Sequence, residues 1–173
     1  MKSDKDIIFC VDTSALVTMH RFYPRSVIPD LWHELEKLFK NKNVISHEFV
    51  FDEIVPENGE KDELGKMISK YKSNFKGITK RQAQLVPEIL LKYPKLIDPD
   101  IIKDQADPWL IAMLKEIKEG LFEDQSEYVL VSTESEKKQT KIPAACKYYN
   151  LKHMNLFQFF EANRWKLRID VLK

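Results

Sequence analysis

Glycine is scarce in this 173-residue chain, which contains only four glycines. Loops that hold nucleotide phosphates with their backbone need several glycines close together, so the sequence predicts no such loop. Cysteine is scarcer still. Cys10 and Cys146 lie far apart in apolar segments, which predicts buried, reduced thiols and argues against a disulfide framework.

An excess of one charge and a long hydrophobic run are also lacking. The formal net charge is +1, which argues against a uniformly basic protein that coats nucleic acid but leaves local basic patches open. The N-terminal "MKSDKD" leads into an apolar run that is too short for a secretory signal or a membrane span. These features predict a cytoplasmic protein without a membrane partner.

Apolar residues make up 43% of the chain and charged residues 32%, which is typical of a folded globular protein. We expect a single domain over residues 1–173, with a core at about 7–160 and a C-terminal extension at 161–173. Continuous apolar runs at 7–11 and 128–132 predict strands buried on both faces, as in a parallel sheet. The short segment 43–46 predicts a third strand.

Helical patterns alternate with these strands. Ser46 is predicted to cap one helix that stops at Pro56, and Asp107 to cap another that begins with Pro108. Residues 60–97 are helical in pattern, with breaks expected at Gly77, Pro87 and Pro94; "IPAACKYYNL" and "KHMNLFQFFEAN" predict a short helix and then a last strand and helix. This alternation predicts an α/β fold in which a mainly parallel sheet is sandwiched by helices.

Four acids fall at the ends of these predicted elements: Asp12, Glu53, Asp107 and Glu134. Ligands of an open parallel sheet bind beyond the carboxyl ends of its strands, so the four side chains are candidates for one site. Two carboxylates about 4 Å apart repel by roughly 4 kcal/mol at an effective dielectric constant of about 20. A group of four would take up protons or bind a divalent cation, and oxygen ligands favour Mg²⁺ or Mn²⁺.

The segments "VDTSAL", "DEI", "ADPWLIA" and "VSTES", in this order, resemble the acidic motifs of PIN domains. The resemblance covers approximately residues 7–160 and implies a Rossmann-like parallel sheet, a metal-dependent endoribonuclease and, in many members, the toxin of a toxin–antitoxin pair. The family's four acids map to Asp12, Glu53, Asp107 and Glu134. RNA is the implied substrate. An antitoxin protein and a second copy of the chain are the further candidate partners.

The sequence departs from the family pattern at two acids. Glu134 stands where Asp is commoner, and Asp52 is an alternative to Glu53 as the second acid. Ser14 and Asp104 are candidate accessory residues. After Glu134, Lys137, Lys138 and Lys141 are either contacts for RNA phosphates or part of a solvated loop.

Structural interpretations of the same residues stay open at this point. Asp12 and Asp107 would serve as helix caps even without a metal, and Glu53 and Glu134, taken singly, resemble surface charges. Ser14 is equally consistent with an ordinary helix start. Trp109 is expected in the core, with stacking on a base as the alternative, and the four histidines are expected to be incidental. A solvated helical face is expected for the lysine-rich set Lys66, Lys70, Lys72, Lys76, Lys80 and Arg81.

Three functions compete. The leading hypothesis is a metal-dependent ribonuclease. A PIN-like binding or regulatory module without catalysis is the second. A phosphohydrolase with an aspartyl nucleophile is the third, but the second acid that such enzymes carry two residues after the nucleophile is Ser14 here.

Overall fold

The computed structural model describes residues 6–120, 126–134 and 141–165. Five strands form one parallel sheet in the order β3-β2-β1-β4-β5. The strands are β1 (Ile7–Val11), β2 (Val44–His47), β3 (Phe75–Lys76), β4 (Glu127–Val131) and β5 (Lys152–Met154). Because every pair is parallel, the carboxyl ends of all five strands lie at the same edge of the sheet.

Helices connect the strands. In chain order they are α1 (Thr13–Phe22), α2 (Pro29–Lys40), α3 (Glu48–Ile54), α4 (Glu63–Ser69), α5 (Lys80–Lys92), α6 (Ala106–Gly120), α7 (Ile142–Tyr148) and α8 (Leu156–Ala162). The predicted α/β sandwich with a parallel sheet is therefore confirmed. Short 3-10 turns at Lys72–Asn74 and Pro94–Leu96 complete the described elements.

The strand order reverses direction between β1 and β4. From β1 the chain proceeds outward to β2 and β3, then returns to β4 on the other side of β1 and continues to β5. Crossovers between parallel strands are right-handed, so this reversal puts the two sets of connecting helices on opposite faces of the sheet. The connections at β1 and β4 then leave the sheet in opposite directions, and a crevice opens between them at the carboxyl edge.

The hydrophobic core explains why the central strands contain continuous runs of apolar residues. The last three residues of β1 and of β4 are buried, because helices cover both faces of the sheet there. Phe9 lies edge-on to Phe159 of α8 at 4.8 Å between ring centroids, and Trp32 of α2 is fully buried. The expected burial of Cys10 and Cys146 is confirmed, and both are free thiols.

Several predicted boundaries were wrong. The second strand extends to His47, so His47 and not Ser46 caps α3, its Nδ1 accepting a hydrogen bond from the Phe49 amide at 3.3 Å. Helix α6 begins at Ala106, which makes Asp107 its second residue and not its cap. Pro87 lies inside α5 and does not break it, since Leu85, Val86 and Ile89 hold that helix against the core.

Candidate functional site

Asp12 lies where β1 ends and α1 begins, beside the crevice between β1 and β4. Its backbone amide continues the sheet by donating to the Val131 carbonyl at 2.9 Å. Its Oδ2 accepts from the Ser14 amide at 3.1 Å and from the Ser14 hydroxyl at 2.5 Å, so Asp12 is the N-cap of α1. The side chain is nevertheless buried, with only 4% of the residue exposed.

The environment of Asp12 favours the protonated acid. Burial is the largest cause, and the charge of Glu53 adds to it, while the hydrogen bonds from Ser14 oppose both. Together they raise the pKa of Asp12 from 3.8 to about 6. The capping interpretation is therefore correct, and it coexists with an electrostatic environment that a cap alone would not produce.

Glu53, on α3, joins three helices through its two carboxylate oxygens. Oε1 accepts from the amide of Ala106, the first residue of α6, at 3.0 Å. Oε2 accepts a short hydrogen bond from the Thr13 hydroxyl on α1. Glu53 thus satisfies an otherwise unpaired amide at the start of α6 and fixes that helix relative to α1 and α3.

Asp107 is the acid whose environment is least favourable to its charge. Within the described residues its carboxylate accepts no hydrogen bond. Burial, followed by the charges of Asp12 and Glu134, raises its pKa from 3.8 to about 8, with a smaller contribution from Glu53. The nearby Lys141 ammonium lowers it. The N-terminus of α6 also favours an anion, but burial and like charges outweigh it here.

Glu134 lies three residues beyond β4 and holds the start of α7. Its Oε2 accepts from the Ile142 amide at 2.8 Å, and its Oε1 lies 3.8 Å from the Lys141 ammonium. Ser14 connects this segment to Asp12, because its hydroxyl donates to Asp12 and accepts from the Thr133 amide at 3.1 Å. The accessory role expected for Ser14 therefore has a geometric basis, which is to hold Asp12 and the segment after β4 together.

The structure thus brings the four predicted acids together at one edge of the sheet, close enough for their charges to interact. Asp52 and Asp104 are exposed and line cavities beside the cluster. Lys141 lies within the cluster, while Lys137 and Lys138 lie outside the described residues. Thr13, the donor to Glu53, was not singled out from the sequence, because a hydroxyl at a helix start carries no signal of its distant partner.

The oxygen donors of the cluster suit a hard divalent cation chemically. Within the described ranges, however, no three or more His, Cys, Asp or Glu side chains are arranged to hold a metal ion as they stand. Glu53 and Glu134 are already hydrogen-bonded to helix N-termini. Asp12 and Asp107 are the acids with raised pKa values, and two carboxylates suffice for Mg²⁺, which keeps several of its waters.

A cavity of about 570 Å³ opens beside Glu53 and Asp107, and Asp12 is not among its lining residues. Its walls also include Phe49, Lys95, Lys103 and Lys141. Lys95 and Lys103 were missed in the sequence because they follow no motif. The second 3-10 turn carries Lys95, and the loop from that turn to α6 carries Lys103. Gln105 braces this loop by exchanging two 2.8 Å hydrogen bonds with the Asp98 backbone.

The predictions for Trp109 and for the histidines can be compared with the structure. Trp109 is partly buried and packs against the core, stacked on the His47 ring at 5.5 Å. His47 has a structural role, since it caps α3 and its Nε2 lies 3.2 Å from the Gln82 side-chain oxygen. Burial lowers the pKa of His47. His153 is also engaged, 3.0 Å from the Ser132 hydroxyl. The lysine-rich set is exposed, as expected, but it does not form one helical face, because Lys76 lies in β3 and Lys72 in a 3-10 turn.

None of the helices in the described residues combines the length and the apolar character that a membrane span needs. Comparison with curated proteins finds no match to the chain. A family model described as "Domain of unknown function (DUF4411)" matches residues 9–167. That match covers nearly the whole sequence, and the protein therefore belongs to this family.

Proposed function

We propose that the protein is a ribonuclease that hydrolyses RNA phosphodiester bonds with the help of Mg²⁺ or Mn²⁺. One observation carries the proposal: four carboxylates from four separate segments meet where the strand order reverses, and the pKa of Asp107 is raised to about 8. Such a cluster costs free energy in the absence of a cation, so it is expected at a site that binds one. The order of the acidic motifs, which resembles that of PIN domains, supports the same activity.

In this proposal the acids have two kinds of role. Asp12 and Asp107 would hold the cation, because burial and like charges outweigh the groups that stabilise their negative charges. A bound divalent cation supplies an acidified water and stabilises charge on the phosphodiester. Glu53 and Glu134 act as positioning residues, since their hydrogen bonds to Ala106 and Ile142 fix the two helices around the cluster. Lys141, close to Asp107, is placed to attract a substrate phosphate.

The wider setting is part of the proposal. A toxin held inactive by an antitoxin protein follows from the resemblance to PIN domains, a cytoplasmic location follows from the lack of a long apolar run in the sequence, and a homodimer is the further partner proposed. The two free buried cysteines are compatible with a reducing compartment. Copurification of the chain with a second, small protein would test for an antitoxin, and light scattering would test for a dimer.

A second candidate is a PIN-like binding or regulatory module without catalysis. The observation in its favour is that Glu53 and Glu134 already serve as hydrogen-bond acceptors for helix N-termini. The phosphohydrolase is less compatible with the site, because the Ser14 hydroxyl is a hydrogen-bond donor to Asp12 and not a second acid.

The deciding experiment compares three substrates: a mixed single-stranded RNA pool, single-stranded DNA of matched sequence, and a phosphate monoester. Each is incubated with Mn²⁺, with Mg²⁺ and with chelator. The proposal expects cleavage of RNA that depends on the cation. RNA cleavage that persists in chelator would overturn the role of the metal, and RNA binding without any cleavage would favour the regulatory module.

A further inference from the structure

Two neighbouring cavities extend from the acidic cluster. The first, of about 570 Å³, reaches Glu53 and Asp107, and the second, of about 520 Å³, lies beyond it toward residues 56–58. Both volumes are in the range of small-molecule sites. The two cavities share four lining residues, which we call the shared wall: Phe49, Asp52, Lys103 and Asp104.

Phe49 gives the shared wall a fixed aromatic surface. Its ring lies edge-on to Trp109 at 5.2 Å and tilted against His47 at 5.1 Å, while part of the residue stays exposed. The hydrogen bond from its amide to the His47 ring holds its backbone in the first turn of α3. Glu53 follows four residues later on the same helical face, so Phe49 lies one turn away from the acidic cluster.

The charges around Phe49 are mixed. The first cavity is lined by three lysines, Lys95, Lys103 and Lys141, and by acids that include Asp52, Asp98 and Asp104. Across the described ranges, neither Lys103 nor either acid of the shared wall takes part in a salt bridge. Adjacent carboxylates would repel a run of phosphates, but an aromatic face, free carboxylates and a lysine match the parts of a single nucleotide.

We propose that these cavities receive a nucleotide next to the bond that is cleaved, with its base stacked on Phe49 and its exocyclic amino group donating to Asp52 or Asp104. A carboxylate accepts hydrogen bonds only, so it favours a base edge with an exocyclic amino group over that of uracil, whose single N3–H lies between two carbonyl oxygens that repel the carboxylate. The site would therefore prefer adenine, guanine or cytosine to uracil. This inference rests on the proposed function, since it assigns the substrate of the same site.

The stacking contact is tested by equilibrium binding of short fluorescent single-stranded RNAs in chelator, so that no cleavage intervenes. Phe49→Leu is compared with the wild type, on intact RNA and on RNA with abasic positions. Each change alone is expected to weaken binding by about tenfold. Phe49→Leu and the abasic RNA combined should weaken binding little more than either change alone, because each change removes the same stacking contact. Independent, multiplying losses would overturn the assignment of Phe49.

Phe157→Leu is the matched control for an aromatic side chain. Phe157 lies on α8, is 68% exposed and lines neither cavity. Its replacement should leave RNA binding unchanged. Phe49→Tyr should restore most of the affinity lost in Phe49→Leu, and thermal melts of all variants show whether they are folded. A loss in Phe157→Leu equal to that in Phe49→Leu would overturn the inference.

The base preference is tested with cytosine and uracil oligonucleotides of equal length. The wild type should bind the cytosine RNA roughly fivefold more tightly. The double variant Asp52→Asn with Asp104→Asn should lose that preference, because an amide can also donate to the uracil carbonyl. Asp100→Asn, in the same loop but outside both cavities, should retain it. Equal binding of the two RNAs by the wild type would overturn the proposed selection.

The two proposals can fail separately. Coupled losses at Phe49 in a protein that binds RNA but never cleaves it would support the nucleotide site and refute the ribonuclease. Metal-dependent cleavage without coupled losses at Phe49 would support the ribonuclease and refute the nucleotide site. Failure of wild-type protein to bind any of the RNAs would overturn the nucleotide site.

Discussion

Acidic side chains cluster in two regions of this molecule, with opposite consequences. On the outer face of α5 and α6, Glu119 accepts from the Arg81 guanidinium at 2.8 Å and forms a short contact with the Lys115 ammonium. These hydrogen bonds lower the pKa of Glu119 to about 2. At the carboxyl edge of the sheet, burial and neighbouring acids raise the pKa of Asp107 to about 8.

The difference lies in what surrounds each carboxylate. Glu119 has two cations and access to water, so its charge is stabilised, although such surface pairs contribute little to stability. Asp107 has three acids and one lysine nearby, and burial removes much of the water that would otherwise solvate it. A fold that only needed charge on its surface would follow the first arrangement. The second is expected where a ligand supplies the missing positive charge.

The largest effect should come from neutralising an acid of the cluster. Asp107→Asn is expected to lower Mn²⁺-dependent RNA cleavage by about 100-fold or more, because an amide keeps an oxygen but loses the charge that holds a hard cation. Cleavage rates at saturating Mn²⁺ measure this. Glu119→Gln, the matched change on the outer face, should retain wild-type activity. Similar rates for Asp107→Asn and the wild type would refute the ribonuclease proposal.

The next effect concerns pH and stability without metal. The raised pKa values of Asp12 and Asp107 mean that the folded state binds protons more tightly than the unfolded chain does. Their contribution to stability is complete below pH of about 4. It is lost as the pH rises through about 6 for Asp12 and about 8 for Asp107. The free energy of unfolding, measured with urea in chelator, should therefore fall over this range.

Mn²⁺ should reverse this loss most strongly at the alkaline end, where both acids are charged. At a concentration 100 times the dissociation constant, binding would add about 2.7 kcal/mol to the free energy of unfolding. The double variant Asp12→Asn with Asp107→Asn is the control, and its stability should depend less on pH and on Mn²⁺. A wild-type stability that rises steadily from pH of about 4 to 8 in chelator would contradict the electrostatic description.

A smaller effect is expected when a single acid is replaced by its uncharged amide, in chelator at a pH of about 8. The free energy of unfolding should then change with opposite signs in the two regions. Asp12→Asn should stabilise the protein by about 1 kcal/mol, because it removes a buried charge while asparagine still caps α1. Glu119→Gln should destabilise it by at most about 1 kcal/mol. Urea denaturation measures both. Destabilisation by Asp12→Asn would show that its carboxylate serves mainly as a cap.

The smallest effect is a shift in the titration of Asp107. Lys141 lowers the pKa of Asp107, so Lys141→Ala should raise it further. Carboxyl chemical shifts followed by NMR over pH would record the change. Lys152→Ala is the matched control. Lys152 pairs with Glu127 at 2.5 Å, at the start of β4 and therefore at the end of the strand far from the acidic cluster. An unchanged Asp107 titration in Lys141→Ala would mean that the lysine does not act on this acid.

The sequence predicted the central strands and the edge strand β5, but it missed the other edge strand, β3. Residues 7–11 and 128–131 are apolar runs because helices cover both faces of the sheet there, which leaves a clear pattern. Strand β3 is only Phe75–Lys76, and two residues carry no periodicity. Helix α6 starts at Ala106 because Glu53, far away in sequence, accepts the hydrogen bond from its first amide. A local capping pattern could not reveal this.

The sequence by itself determined the class of fold and the identity of the four acids, because both depend on local patterns at the ends of strands and helices. Only the tertiary structure decided how those acids differ. It buries Asp12 and partly buries Asp107 among like charges, and it engages Glu53 and Glu134 in hydrogen bonds to helix amides. The physical reason is that burial and charge interactions depend on distances between segments, and these are fixed only when the sheet brings its carboxyl ends together.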